Sequence, residues 1–327
     1  MDTKNQILQR GPLIGKHLQI NIRDENDYAC LLPTSSEIES MKFLPVNLDN
    51  IIVHISLSIN PCACDNKIKW MRKILLKECL RAEAYGLKYL VFHPGTCQHS
   101  KVSEVNTKAT STELNKLLKR CADTINYVHK NTKSCVLLIE NMAGQGNQVG
   151  YKLSHLKNII DLTKNKDRVG ICIDTCHAFA SGYKITTDIG YNTLIGEILD
   201  LDLHKYLKLF HLNDSKDPCG SLRDRHQLIG KGHIGLRFFW KLMNDEIFNN
   251  IPAVIETGDS NDYMTLFNLK VISETEVSSW QKKLGDLNIS NYTKKHLYSL
   301  ASASKIKGRS KLSKEQLFDK LKALNLI

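Results

Sequence analysis

The sequence predicts a parallel (β/α)8 TIM barrel, abridged at its first unit and followed by a small helical module. Six short apolar runs recur with helix-like stretches between them, and each ends in an imidazole or a carboxylate. Residues 286–327 lose that pattern and turn basic. A strand closing on a polar residue, repeated with helices between, is how a parallel barrel builds its functional face.

The elements follow in chain order. GKHLQI near the start is a candidate first strand, and residues 27–32 are a candidate for another. The six runs are NIIVHIS, KYLVFHPG, CVLLIENMAGQG, VGICIDTCH, YLKLFHLNDS and IPAVIETG. They close on His54, His93, Glu140, Asp174 with His177, His211, and Glu256. Between them, residues 67–85 carry apolar side chains at helical spacing, with Gly86 as a stop signal. Residues 112–130 and 153–162 read as helices on the same grounds. Residues 259–285 read as a closing helix and an acidic-polar connector. Two units are expected: a barrel over residues 1–285 and a basic helical module over 286–327, with helices at 294–303 and 314–324.

At 327 residues, the chain has room for one large barrel and a small module. Hydrophobic residues make up 42% and charged residues 24%, the balance of a soluble enzyme. The net charge is +11, which suits a polyanionic partner, nucleic acid first. Residues 286–327 carry +6 of it, so the charge is concentrated in the tail. The ten cysteines form no disulfide framework and read as reduced thiols. Cys172 and Cys176 fall at a predicted strand end. MDTKNQILQRGPLIGK has neither an apolar core nor a cleavage site, and no run reaches membrane-spanning length. The expectation is an intracellular monomer in the nucleus, the cytoplasm or a viral replication site, without membrane association.

Imidazoles with carboxylates, and no thiolate among them, favour zinc or manganese in a hydrolytic site. Asp224 and His226, in DRHQLIGKGHIG, alternate by two, so an extended backbone points both the same way. Glu140 and Glu256 each carry two oxygens and can bridge two ions. Ions about 3.5–4 Å apart suit in-line phosphoryl displacement. Asn141, Gly144, Gln145 and Asn147 lie in a loop suited to phosphate contacts, and Arg225 and Lys231 add charge nearby.

The ordered set FHPG, IENMAGQG, VGICIDTCHAFASGY, FHLNDSK, DRHQLIGKGHIG and VIET resembles the endonuclease IV family of abasic-site endonucleases, over residues 48–260. The resemblance implies a TIM barrel with three zinc ions. One ion would take His54 and His93. A second would take Asp174, His211 and Glu256, with Glu140 bridging the two. The third would take His177, Asp224 and His226. The implied reaction is hydrolysis of the phosphodiester 5′ to an abasic site in duplex DNA, leaving a 3′-hydroxyl, with removal of blocked 3′ ends as a second activity. Glu140 is the expected catalytic carboxylate. Leu57 stands where family members usually carry an aromatic that probes the lesion. Arg23, 31 residues before His54, fits the family's DNA-reading loop.

The tail is similar to small nucleic-acid modules of the SAP or Rho N-terminal kind, through Lys294, Lys295 and the KIKGRSKLSKEQLFDKLKAL stretch. Lys307, Arg309 and Lys311 are its other candidate DNA contacts. The alternative for the whole chain is a metal-dependent sugar isomerase or epimerase on the same barrel. Such an enzyme needs one or two ions, and no third His/Asp/His set.

Overall fold

Seven parallel strands curl into a nearly closed barrel in the computed structural model. The structure describes residues 17–22, 32–44, 46–97 and 111–283, and in the tail 294, 297, 298, 301, 306 and 308–323. The strands are β1 (Leu18–Ile20), β2 (Ile51–His54), β3 (Tyr89–Phe92), β4 (Val136–Glu140), β5 (Val169–Asp174), β6 (Leu207–His211), a short ribbon of β7 (Asp214–Ser215) and β8 (His226–Gln227), and β9 (Ala253–Val254). The barrel order is β1-β2-β3-β4-β5-β6-β9. The helices are α1 (Ser35–Met41), α2 (Asp65–Ala84), α3 (Ser111–Asn131), α4 (Leu153–Leu162), α5 (Thr175–Ala180), α6 (Asp188–Asp200), α7 (Leu236–Asn244), α8 (Ser260–Leu269), α9 (Glu274–Lys283) and α10 (Lys314–Ala323).

The LQI end of the GKHLQI run forms β1, paired in register with the His54 strand (Gln19 beside Ile52), while Gly15 and Lys16 fall outside the described residues. No further strand lies between them among the described residues, and the described barrel has seven parallel strands. Residues 27–31 fall outside the described residues, as does Arg23. Gly86 ends the α2 turn with φ at +78°, a conformation that costs glycine little. Cys172 lies in β5, but Cys176 is in α5, because the chain turns helical directly after Asp174. Residues 259–285 contain two helices, α8 and α9, rather than one. The nine described cysteines are free thiols, and no helix among the described residues is long and apolar enough to cross a membrane.

The inner wall of the barrel is a layer of Ile52, Val91, Val136, Leu138, Cys172, Leu209 and Val254. Their neighbours Ile51, Val53, Leu90, Phe92, Leu137, Ile139, Ile171, Ile173 and Phe210 join the larger core with the helices. Strands buried on both faces explain why the runs are apolar without alternation. Each fully buried aliphatic contributes about 1.5–3 kcal/mol. The alternation also aims the site. His54, His93, Glu140, Asp174, His211 and Glu256 each follow an inner-wall residue by two positions. Period-two geometry therefore turns all six inward at the C-terminal mouth.

A bulge sets the register between β5 and β6. Ile171 pairs with Leu207 but Cys172 pairs with Leu209, so Lys208 is extra and Asp174 comes to lie beside His211. Gly170 makes this approach possible: a methyl there would sit 2.8 Å from the Tyr206 carbonyl and the Lys208 chain, and 2.9 Å from Leu138.

In the tail, Leu297, Ala301, Ile306, Leu317, Phe318 and Leu321 form a second small core. Met264 belongs to the same core and Phe267 packs against it, both from α8. The apolar face of the tail is thus covered by the barrel's own helix.

His129, on α3, is buried with neither ring nitrogen hydrogen-bonded in the structure. Burial, reinforced by the Arg168 guanidinium, lowers its pKa from 6.5 to about 4. The unfolded chain therefore takes this proton first. The stability His129 supplies is intact above its unfolded value and is lost as the pH falls toward the folded one. Relative to wild type, His129→Leu should gain up to ~3 kcal/mol between neutral pH and pH about 4. Urea unfolding across that range measures it; a difference independent of pH would refute the assignment.

Candidate metal centre

Glu140 is the hub. It ends β4 with 1% exposure, among four imidazoles. Its Oε2 lies 3.4 Å from His54 Nε2 and 3.3 Å from His93 Nε2. Its Oε1 lies 3.0 Å from His211 Nδ1 and 3.3 Å from His177 Nδ1. One carboxylate thus spends its two oxygens on different histidine sets.

Three groups of donor atoms are close enough to share an ion: His54, His93 and Glu140; Glu140, Asp174, His211 and Glu256; and Asp174, His177 and His226. Asp224 joins the third, with Oδ1 3.1 Å from His177 Nε2 and 3.3 Å from His226 Nε2. The nine residues singled out in the sequence therefore converge at one end of the barrel. Asp174 belongs to two groups, which its position at the β5–α5 junction allows. It also caps α5, its Oδ1 accepting the His177 backbone N–H at 2.7 Å.

The histidines are oriented by their second nitrogens. His54 Nδ1–H donates to the Ile55 carbonyl at 2.8 Å, leaving Nε2 to face Glu140. His177 Nδ1–H donates to the Asn141 carbonyl at 2.8 Å, so its Nε2 faces Asp224. The Nε2 atoms of His177 and His226 are buried and have no hydrogen-bond partner. A buried imidazole nitrogen aimed at a carboxylate and otherwise unsatisfied is a ligand geometry.

Electrostatics agree. Burial pushes the Glu140 carboxyl up, but His211, His93 and His177 outweigh it and hold it well below the usual carboxylate range. Burial likewise opposes Glu256, yet His211 leads in bringing it to about 2. At Asp174 burial prevails, and His177 and His226 only partly offset the rise. Burial lowers the His177 imidazole, while Asp174, Asp224 and Glu140 lift it well above its ordinary value. The cluster draws protons onto its imidazoles because its carboxylates require positive charge. Divalent cations are a natural substitute for those protons, and the donor set fits hard-to-borderline ions.

Several positioning residues are not evident from the run ends alone. Asn213, fully buried, donates through Nδ2 to Asp174 Oδ2 at 2.6 Å and Glu256 Oε2 at 3.0 Å. Gln19 bonds both Glu256 and His211. Asn141 is buried, and its amide is spent on the Asp174 backbone at 2.6 and 3.1 Å rather than presented to a ligand. The available signal was faint: a lone polar residue beside apolar ones, in LQI and HLND.

The loop residues are spread around the mouth. Gln145 is exposed and accepts the Asp224 N–H at 2.9 Å. Asn147 is half-buried and donates to the Cys97 carbonyl at 3.1 Å. Gly144 is buried at φ +80°, where a side chain would meet Leu222. Arg225 forms a two-pronged ion pair with Asp217. Lys231 is exposed, and so is Leu57, at 61%. In the tail Lys294 and Lys311 are exposed, while Arg309 is half-buried and donates to the Ile306 carbonyl at 3.0 Å. Lys295 and Lys307 lie outside the described residues.

The loop carrying Lys231 is built on Asp214. This buried carboxylate accepts backbone N–H groups from Ser215, Gly230, Gly232, Ile234 and Gly235. Asp214→Asn would turn an amide NH2 toward these donors. A loss on the order of 3 kcal/mol in unfolding free energy is expected. A loss below ~0.5 kcal/mol, the range of neutral surface changes, would mean the amides are satisfied another way.

Residues 44–283 match the model of the xylose isomerase-like TIM barrel family. An endonuclease 4 homolog of Dictyostelium discoideum is 40% identical over 221 residues, covering 67% of this chain but 39% of the relative. A probable endonuclease 4 of Phocaeicola vulgatus is 40% identical over 210 residues, covering 64% of this chain and 71% of the relative. The solved endonuclease IV of Thermus thermophilus superposes with a TM-score of 0.66 at 22% identity, covering 82% of this chain and 93% of that one. The chain thus spans well under half of the Dictyostelium relative and about 70% of the bacterial one. On these matches, the chain belongs to the endonuclease 4 family within the xylose isomerase-like TIM barrels.

Proposed function

We propose that this chain is a DNA-repair hydrolase that cleaves the phosphodiester 5′ to an abasic site and leaves a 3′-hydroxyl. Removal of blocked 3′ ends is its second activity. The observation that carries the reading is the third donor group. His177, Asp224 and His226 meet beside the two groups that share Glu140. A sugar isomerase or epimerase on this barrel has no use for that third set, so it is the weaker reading. We assign zinc, three ions per chain, with manganese acceptable at some positions.

His54, His93 and Glu140 would hold one ion, Glu140 with Asp174, His211 and Glu256 the second, and His177, Asp224 and His226 the third. Bound there, such ions supply Lewis acidity toward a phosphodiester and a water molecule. Glu140 has the central role: it presents both oxygens to the interior and orients the attacking water. Asn213 keeps Asp174 and Glu256 at fixed spacing despite their like charge. The mouth loop with Gly144, Gln145 and Asn147, together with Lys231, is assigned to contact with the backbone phosphate. Arg225 can join by exchanging Asp217 for phosphate. Leu57, exposed and aliphatic, fits the role of a wedge at the lesion. An abasic sugar carries no base, so no base pocket is required.

Glu140→Gln should lower cleavage of an abasic duplex by several orders of magnitude while the protein stays folded. Near-normal cleavage with unchanged metal content would rule out Glu140 as the catalytic carboxylate. Wild-type cleavage should not need added magnesium. It should fall on prolonged chelation and return with zinc. A strictly magnesium-dependent activity that resists zinc-selective chelators points instead to another class of nuclease.

The basic tail is assigned to phosphate contact through Lys294, Lys295, Lys307, Arg309 and Lys311, and Arg23 is assigned the same role from its place in the sequence. Because Met264 and Phe267 lie under the tail, neutralising its basic residues tests it better than truncation. Replacing Lys294, Lys295, Lys307, Arg309 and Lys311 with Gln should flatten the slope of log K against log salt by about 2–3 for duplex DNA, if roughly three touch phosphates. An unchanged slope would make the tail a packing element alone.

A further inference from the structure

Gln19 is the one residue of β1 that faces the barrel interior. Leu18 and Ile20, on either side, pack outward into the helix-facing core. Gln19 pairs in register with Ile52 of the inner wall. A polar residue at that level needs partners, and its partners are two metal-ligand candidates. Its Nε2 donates to Glu256 Oε1 at 2.7 Å. Its Oε1 lies 2.8 Å from His211 Nε2. The donation to Glu256 assigns the amide nitrogen, so the oxygen must accept from His211, and His211 must carry its proton on Nε2.

The consequences fall on the opposite atoms. With Nε2 protonated, His211 presents Nδ1 as its free lone pair, and that atom lies 3.0 Å from Glu140 Oε1 and 3.3 Å from Glu256 Oε2. With Oε1 engaged by Gln19, Glu256 turns Oε2 inward, where Asn213 Nδ2 reaches it at 3.0 Å. One amide therefore sets the tautomer of a histidine and the rotation of a carboxylate at once. It does so where the barrel is open, since no strand pairing joins β1 to β9 among the described residues.

We propose that Gln19 is a positioning residue of the centre, selecting Nδ1 of His211 and Oε2 of Glu256 as the atoms offered to the ion they share with Glu140 and Asp174. This rests on the metal reading given above. A carboxamide is suited to the role because it donates and accepts from adjacent atoms without adding charge beside Glu256. Loss of such an orienting partner typically weakens metal affinity about 10- to 100-fold.

The test uses the full chain, stripped of metal and titrated with zinc against a colorimetric chelator. Gln19→Leu removes both hydrogen bonds. Gln19→Glu keeps the acceptor for His211 but replaces the donor to Glu256 with a like charge. Both should weaken one zinc site about tenfold or more and leave the tightest remaining site within twofold. Imidazole nitrogen spectra of zinc-loaded wild type should show His211 protonated at Nε2, and Gln19→Leu should lose that signature. The melting temperature of the metal-free variants separates positioning from a packing role. If it falls by as much as that of the zinc-loaded form, the residue only supports the fold and the proposal fails. If Gln19→Leu does not fold, Gln19→Glu carries the test. Zinc affinities equal to wild type in a folded variant would overturn the proposal while the metal reading stands. A wild-type chain that retains no zinc would overturn both, and so is distinguishable.

Discussion

The structure is organised around the cost of burying the Glu140 carboxylate. A lone ionised carboxylate so far from water is strongly disfavoured, and would normally take up a proton. Here four imidazoles surround it, two on each oxygen, and it stays ionised. Those imidazoles come from four different elements, β2, the loop after β3, α5 and β6. The charge balance of one residue therefore fixes the relative placement of half the barrel.

The barrel meets that demand with few devices. Alternation along each strand sends the residue two beyond an inner-wall aliphatic into the same interior space. Parallel pairing puts all the strand ends at one mouth, and the β5–β6 bulge brings Asp174 beside His211. The chain then turns directly into α5, where Asp174 caps the helix and His177 emerges beside it. Asp224 and His226 arrive last, on the β7–β8 ribbon whose other strand begins with Asp214. The buried Asp214 carboxylate gathers the following glycine-rich loop through four of its backbone amides, which is why that loop can be glycine-rich and still ordered.

Neutral amides do the positioning. Asn213 separates Asp174 from Glu256, Asn141 clasps the Asp174 backbone, and Gln19 joins Glu256 to His211. A carboxamide can donate to one carboxylate and accept from a neighbour without adding charge to a site already crowded with it. A charged residue in any of these places would shift the balance that keeps Glu140 ionised.

The sequence by itself determined the barrel and all nine candidate ligands. Apolar runs closing on a polar residue report strand direction and strand end together, and that is local information. His54, His93 and His211 were legible for this reason, as were Asp224 and His226 from their spacing of two. Tertiary structure decided which ligands meet. Asp174 serves two groups, and Glu140 divides its oxygens between histidine sets, because neighbouring strands are brought into register by a bulge and a close-packed glycine. It also decided that Asn141 braces Asp174, that Arg225 pairs with Asp217, and that the tail's apolar face lies on Met264 and Phe267. Gln19 and Glu256, 237 positions apart, touch only because the curl of the sheet brings β1 and the end of β9 near each other across the open seam. No pattern within either segment encodes that contact, since it depends on the curvature of the whole sheet between them.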